Sequence, residues 1–149
     1  MNAKCGVSVP VPSDHHLLRL VRDDPDYVWW SSEQNRYLLR VPGFALQFDP
    51  DLSTSWAEHL LDLHGRSPED LVSPKRELAF RARVGELQGL EGLTITHSPE
   101  GEEPDGCGHV SVLRPEGLPK GLRNSLSTDI ALRMHQVAGT VRSAPPGAD

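Results

Sequence analysis

His97, Asp105, Cys107 and His109 form the densest group of potentially reactive side chains in the chain, within the stretch LTITHSPEGEEPDGCGHVSVL from Leu93 to Leu113. Two β-like runs, 93–97 and 107–113, flank a polar loop carrying Glu100, Glu102, Glu103 and Asp105. Cys107 and His109 stand at i and i+2, so on a strand they share a face. With His97 and Asp105 they would supply a mixed ligand set of the kind zinc takes in a tetrahedron. The alternative chemistry is a thiol or histidine hydrolase, with Cys107 as nucleophile or His97 and His109 working with Asp105.

The hairpin register bears on both ideas. Leu93, Ile95, Val110 and Val112 ask for the core, so pairing Ile95 with Val110 puts His97 on the apolar face near Gly108. Cys107 and His109 then point to the other face, and only a bulge or a one-residue slip would reunite the set. Cβ atoms at i and i+2 on a strand lie roughly 6.6 Å apart, long for direct activation of Cys107 by His109. There is no second metal-ligand pair at zinc spacing and no nucleophile elbow. No cofactor is expected, and Cys107 and His109 remain only weak metal candidates.

The other histidines invite the same comparison. His59 and His64 are five apart, about 140° round a helix, and miss the i, i+4 spacing of a zincin. His15 and His16 face different ways. Structural or surface roles are the expectation for all four.

The binding clue is aromatic. Trp29 and Trp30 are adjacent, so on a strand they point to opposite faces, one into the core and one needing a cover or a partner. Tyr27 shares a face with Trp29. Tyr27, Trp29, Trp30 and Arg36 are therefore the expected contact set, with Glu102, Glu103 and Asp105 as a charged rim. On this reading the chain is a small accessory or regulatory module that binds another protein and has no catalysis of its own. The hydrolase or nuclease-like enzyme at the 93–113 hairpin is the alternative.

A third possibility is nucleic-acid contact through Lys75, Arg76, Arg81, Arg83, Arg114, Lys120, Arg123 and Arg133. The net charge of −6 opposes it, as does the lack of an aromatic RNA-binding motif or a Gly-rich phosphate loop.

Elements must hold these residues in place. With 149 residues, 37% of them hydrophobic and 24% charged, the chain suits one globular domain. Apolar runs are too short to span a membrane, and no signal-like block opens the chain, which makes the cytoplasm the default location. There, Cys5 and Cys107 would stay reduced. The excess of Arg over Lys would fit a GC-rich bacterial genome.

Residues 1–13 read as a flexible leader, 14–141 as a single α+β domain and 142–149 as a disordered tail. His15–Arg22 reads as two helical turns. Strands follow at Tyr27–Trp30, Arg36–Val41 and Phe44–Phe48, giving an antiparallel meander. Ser55 and Glu58 form an S-x-x-E capping box for a helix ending at Gly65, with Trp56, Leu60 and Leu63 on one face. Ser67-Pro68 starts a single turn. Ser73-Pro74 opens a second helix running to Gly89. The last helix spans Pro119–Val137 through Leu122, Leu126, Ile130, Met134 and Val137. The expected architecture is an antiparallel sheet, a meander plus a second hairpin, with two to four helices packed mainly on one face.

Overall fold

The computed structural model describes residues 7–41, 51–90, 92–100 and 105–143. It is an α+β fold, as the pattern of hairpins and helices implied. A six-stranded antiparallel sheet has the order β6-β7-β4-β1-β5-β8, and β2 and β3 form a separate two-stranded hairpin. The strands are β1 (His16–Val21), β2 (Val28–Ser31), β3 (Arg36–Leu39), β4 (Asp51–Trp56), β5 (Leu78–Arg83), β6 (Thr94–His97), β7 (His109–Leu113) and β8 (His135–Ala138). The helices are α1 (Ala57–His64), α2 (Pro68–Leu71), α3 (Val84–Gln88) and α4 (Lys120–Arg133), and a 3-10 turn covers Asp105–Gly108.

Four stretches depart from the expected elements. His15–Arg22 is not a helix; its centre is β1, flanked by β4 and β5. Side chains pack against β1 on both faces of the sheet, so consecutive apolar residues are what it needs. Leu17 and Val21 join the main core with Phe80 and Ile130, while Leu18 on the opposite face meets Leu60 and Leu71. Each such fully buried side chain contributes about 1.5–3 kcal/mol.

Ser55 belongs to β4, opposite Leu18 and His109. The N-cap of α1 is therefore Trp56, with no side-chain capping bond. The alternation Leu52, Thr54, Trp56 inward and Asp51, Ser53 outward marks β4 as a half-buried strand. The stretch from Ser73 to Gly89 divides into β5 and the short α3. Leu78, Phe80, Ala82 and Val84 are buried while Arg81 and Arg83 are exposed, a period of two that overrides the helix-start signal at Ser73-Pro74. The last helix stops at Arg133, and Val137 lies on β8, paired beside β5. Leu126 and Ile130 are buried, but Leu122 is 57% exposed.

The β2–β3 hairpin and the single turn at Ser67-Pro68 form as expected, the latter with a Ser67–Asp70 capping box. The expected strand at Phe44–Phe48 lies outside the described residues. The helices divide by face: α3 and α4 supply Leu87, Leu126 and Ile130 to the main core, and α1 and α2 supply Leu60 and Leu71 to the smaller cluster.

Candidate functional site

The ends of three strands meet at one place. Trp56 closes β4 and leads directly into α1, His97 closes β6, and His15 immediately precedes β1. Helix α1 adds Glu58, His59, Asp62, Leu63 and His64, and the segment before β1 adds Val7 and Val9. Together with Cys107 these residues line a cleft of about 770 Å³. Gly108 lets α1 close over the 3-10 turn, since a Cβ there would stand 2.7 Å from the Leu60 side chain.

Trp56, only 5% exposed, is the hub. Its ring stacks on His59 at 5.0 Å, meets His97 edge-on at 5.1 Å and lies 5.8 Å from His15. His59 also lies 5.3 Å from His97 and 5.6 Å from His64. The Trp56 indole N–H donates to His15 Nδ1 at 2.9 Å. His97 is held at both nitrogens: Nδ1 accepts from the Val9 amide at 3.1 Å, and Nε2 donates to the Cys107 carbonyl at 2.7 Å. These bonds set the tautomers of both rings and require each Nδ1 to be unprotonated.

Glu58 takes the His16 amide on Oε1 at 2.7 Å and the His16 ring on Oε2 at 2.6 Å. Burial pushes its carboxyl up, but the bonds from His16 outweigh burial and hold it below its ordinary range. Burial, then the neighbouring His97 and His64, pull His59 below the ordinary imidazole value. Burial, with Arg36 next, does the same to His135.

These two shifts carry a sign. A histidine with a lowered folded pKa binds its proton less readily than in the unfolded chain. Stability is therefore full above the unfolded value of about 6.5 and falls as pH drops below it. Urea denaturation midpoints measured from neutral pH downward should decline through that window. A flat profile would contradict the depressed values.

The residues singled out in the sequence are distributed differently. His97 pairs with Val110 and Ile95 with Val112, two residues from the expected register but of the same parity. His97 thus faces Trp56, while His109 lies on the opposite face. There His109 Nδ1 meets Ser98 Oγ at 2.9 Å and the Ser98 carbonyl at 3.0 Å, and Nε2 stands 3.6 Å from Glu100. Ser98 continues to Ser111 and Ser111 to Asp51.

Cys107 is buried and disulfide-bonded, which overturns the expectation of reduced thiols. Cys5, the only other cysteine in the chain, lies outside the described residues. Asp105 opens the 3-10 turn, and Glu102 and Glu103 lie outside the described residues. Among those described, no group of three or more His, Cys, Asp or Glu is placed to hold a metal ion.

The aromatic set is largely internal. Tyr27 packs on the main core. Trp29 and Trp30 are both half-buried, Trp29 beneath the Arg40 guanidinium at 5.9 Å and Trp30 edge-on to Tyr37 at 5.0 Å. Arg36 donates to the Met134 and Leu132 carbonyls at 2.7 and 2.6 Å, capping the end of α4. Among the described residues, the large apolar side chains that are exposed are instead Val7, Val9, Leu61, Leu63 and Leu122. Three of these border the cleft. The basic residues do not share two helices, since Arg81 and Arg83 lie on β5 and Lys120, Arg123 and Arg133 on α4.

Sequence reasoning took His15, His59, His64 and His97 one at a time. The signal it passed over was Trp56, whose ring three of them touch. No protein-family model, curated protein or solved structure matches the chain. No helix among the described residues is long and apolar enough to cross a membrane.

Proposed function

We propose that this chain is a binding module, an accessory or regulatory protein that docks another protein in the cleft beside α1. One observation carries the reading. The cleft of about 770 Å³ is lined in part by Val7 at 83%, Leu63 at 68% and Val9 at 42% exposure. Apolar side chains left in water around an apolar cleft mark a place where something binds. Trp56 gives the floor the large, rigid aromatic anchor that binding sites favour.

The hydrolase alternative at the 93–113 hairpin has less support. His97 has both nitrogens engaged in internal bonds, His109 faces away from it, and Cys107 offers no thiolate while disulfide-bonded. Nucleic-acid binding would have to draw on basic residues of separate elements, Arg81 and Arg83 on β5 and Lys120, Arg123 and Arg133 on α4. The disulfide fits a module that works where thiols are oxidised, and so weakens the cytoplasmic default.

Leu63→Glu places a charge at the cleft mouth on a side chain that supports no core. It is expected to change folding stability by no more than about 0.5 kcal/mol and to weaken partner binding at least tenfold, about 1.4 kcal/mol. Urea denaturation reads the first effect and calorimetric titration with the purified partner the second, each beside Trp30→Phe as a control. Binding that survives Leu63→Glu but fails with Trp30→Phe would move the site to the β2–β3 hairpin.

A further inference from the structure

We propose that the disulfide at Cys107 is a redox latch for the segment 7–10, and that a dithiol reductant releases this strap from the cleft while the rest of the fold stays in place. The device stands on the bridge and the strap themselves, and it holds whatever docks in the cleft.

The strap precedes β1 and supplies Val7 and Val9 to the cleft. Each of its residues is exposed, and none belongs to a strand or helix. Burial therefore does little to fix it. Among the described residues, the hydrogen bond that holds it is the Val9 N–H to His97 Nδ1 at 3.1 Å. One such bond returns no more than the ordering of a single residue costs, so it does not by itself keep the whole strap in place.

The bridge supplies what the bond lacks. The chain contains one other cysteine, Cys5, two positions ahead of Val7. A bridge from Cys107 within the chain therefore runs to Cys5, and it ties the upstream end of the strap to the 3-10 turn. His97 closes the loop from the other side, because the ring that accepts from Val9 donates through Nε2 to the Cys107 carbonyl. With the bridge intact, Val9 stays within reach of His97 and the bond reforms whenever it opens. Without it the strap is a chain end, and the effective concentration of Val9 at His97 falls.

Downstream, the hold does not depend on sulfur. Val11 packs on the main core, the His15 amide donates to the Pro12 carbonyl, and the Gly85 amide donates to the Ser13 carbonyl. Release therefore stops at Val11.

The step is a thiol–disulfide exchange. A thiolate of the external dithiol attacks one sulfur of the bridge, giving a mixed disulfide and one cysteine thiolate. The reductant's second thiolate then attacks its own sulfur in that mixed disulfide, and the other cysteine leaves. The reductant departs as a cyclic disulfide, and its two electrons and two protons end on Cys5 and Cys107 as two thiols. The wall formed by Val7 and Val9 goes with the strap. A chain that passes from an oxidising to a reducing place thus loses one side of its cleft.

The test follows amide hydrogen exchange by NMR in the full chain, before and after dithiothreitol. Non-reducing mass spectrometry should first show a single chain two hydrogens lighter than its reduced form. After reduction the Val9 N–H is expected to exchange at least about tenfold faster, while Gly85 and the amides of β1 keep their rates within about twofold. Oxidised glutathione should restore the slow Val9 rate. Cys5→Ala, which leaves the buried Cys107 side chain in place, should show the fast Val9 rate without reductant and no response to it. A Val9 rate that stays slow in the reduced chain or in Cys5→Ala overturns the proposal, as does a bridge that dithiothreitol fails to open. Acceleration that spreads to Gly85 and β1 overturns it too, since the bridge would then staple the whole fold. A mass of two linked chains would place the bridge between molecules and has the same consequence.

Discussion

Replacing His97 with leucine is expected to cost about 2–4 kcal/mol of stability and to lower Tm by roughly 5–15 °C. Leucine fills much of the volume but leaves the Cys107 carbonyl and the Val9 amide without their partner. The carbonyl is the costlier loss, since Cys107 is buried, and an unpaired buried polar group forfeits its hydration with no return. His97→Gln carries both a donor and an acceptor and should recover part of the loss. Thermal denaturation of the two variants separates bonding from packing. If both fall equally, ring contact with Trp56 and His59 is the source; if His97→Leu stays within about 0.5 kcal/mol of wild type, the bonds contribute little.

Gly139→Ala is expected to destabilise by about 2–5 kcal/mol, from two terms. Gly139 follows β8 with φ of +86°, a conformation that costs an L-residue about 1–2 kcal/mol. Its Cβ would also stand 2.1 Å from the Glu77 carbonyl oxygen and 2.9 Å from Leu78 Cδ2. The first of these is backbone and cannot swing aside, so β8 must shift from β5 at roughly 1–3 kcal/mol. Gly117→Ala is the control: its φ is +75°, with nothing within 4 Å of the new Cβ. It should show the conformational term alone. Chemical denaturation that gives the two substitutions equal cost would remove the steric account.

The local elements were the legible ones. The β2–β3 hairpin, the Ser67-Pro68 turn and the parity of β6 and β7 each follow from neighbouring residues, and each formed. Leu17, Leu18, Leu20 and Val21 misled because apolar residues at adjacent positions suit either a helix or a strand covered on both faces. Only the distant strands β4 and β5 decide between them. In β5 the alternation was present, but the proline at the start of the stretch carried more weight than the period of the residues after it. The cleft was least legible. His15, Trp56 and His97 are separated by some forty residues at each step and meet only because β1, β4 and β6 end together. Trp29 and Trp30 drew attention as a pair, yet Arg40 and Tyr37 already cover them.

The strand order β6-β7-β4-β1-β5-β8 has a consequence for how the chain acquires its shape. Among the described strands of this sheet, β6 and β7 are paired with only a short connection between them, while β1 and its partners β4 and β5 are far apart in sequence. β1 emerges first from the ribosome and belongs in the middle, yet β4 and β5, its two neighbours, are made much later. Leu17 must wait for Trp56 and for Ala82. Long loops have to close before these contacts repay them, which places folding in roughly the millisecond-to-second range of non-local β topologies. During that wait β1 is an apolar strand with two open edges, the kind of segment that chaperones shield and that joins wrong partners when they do not.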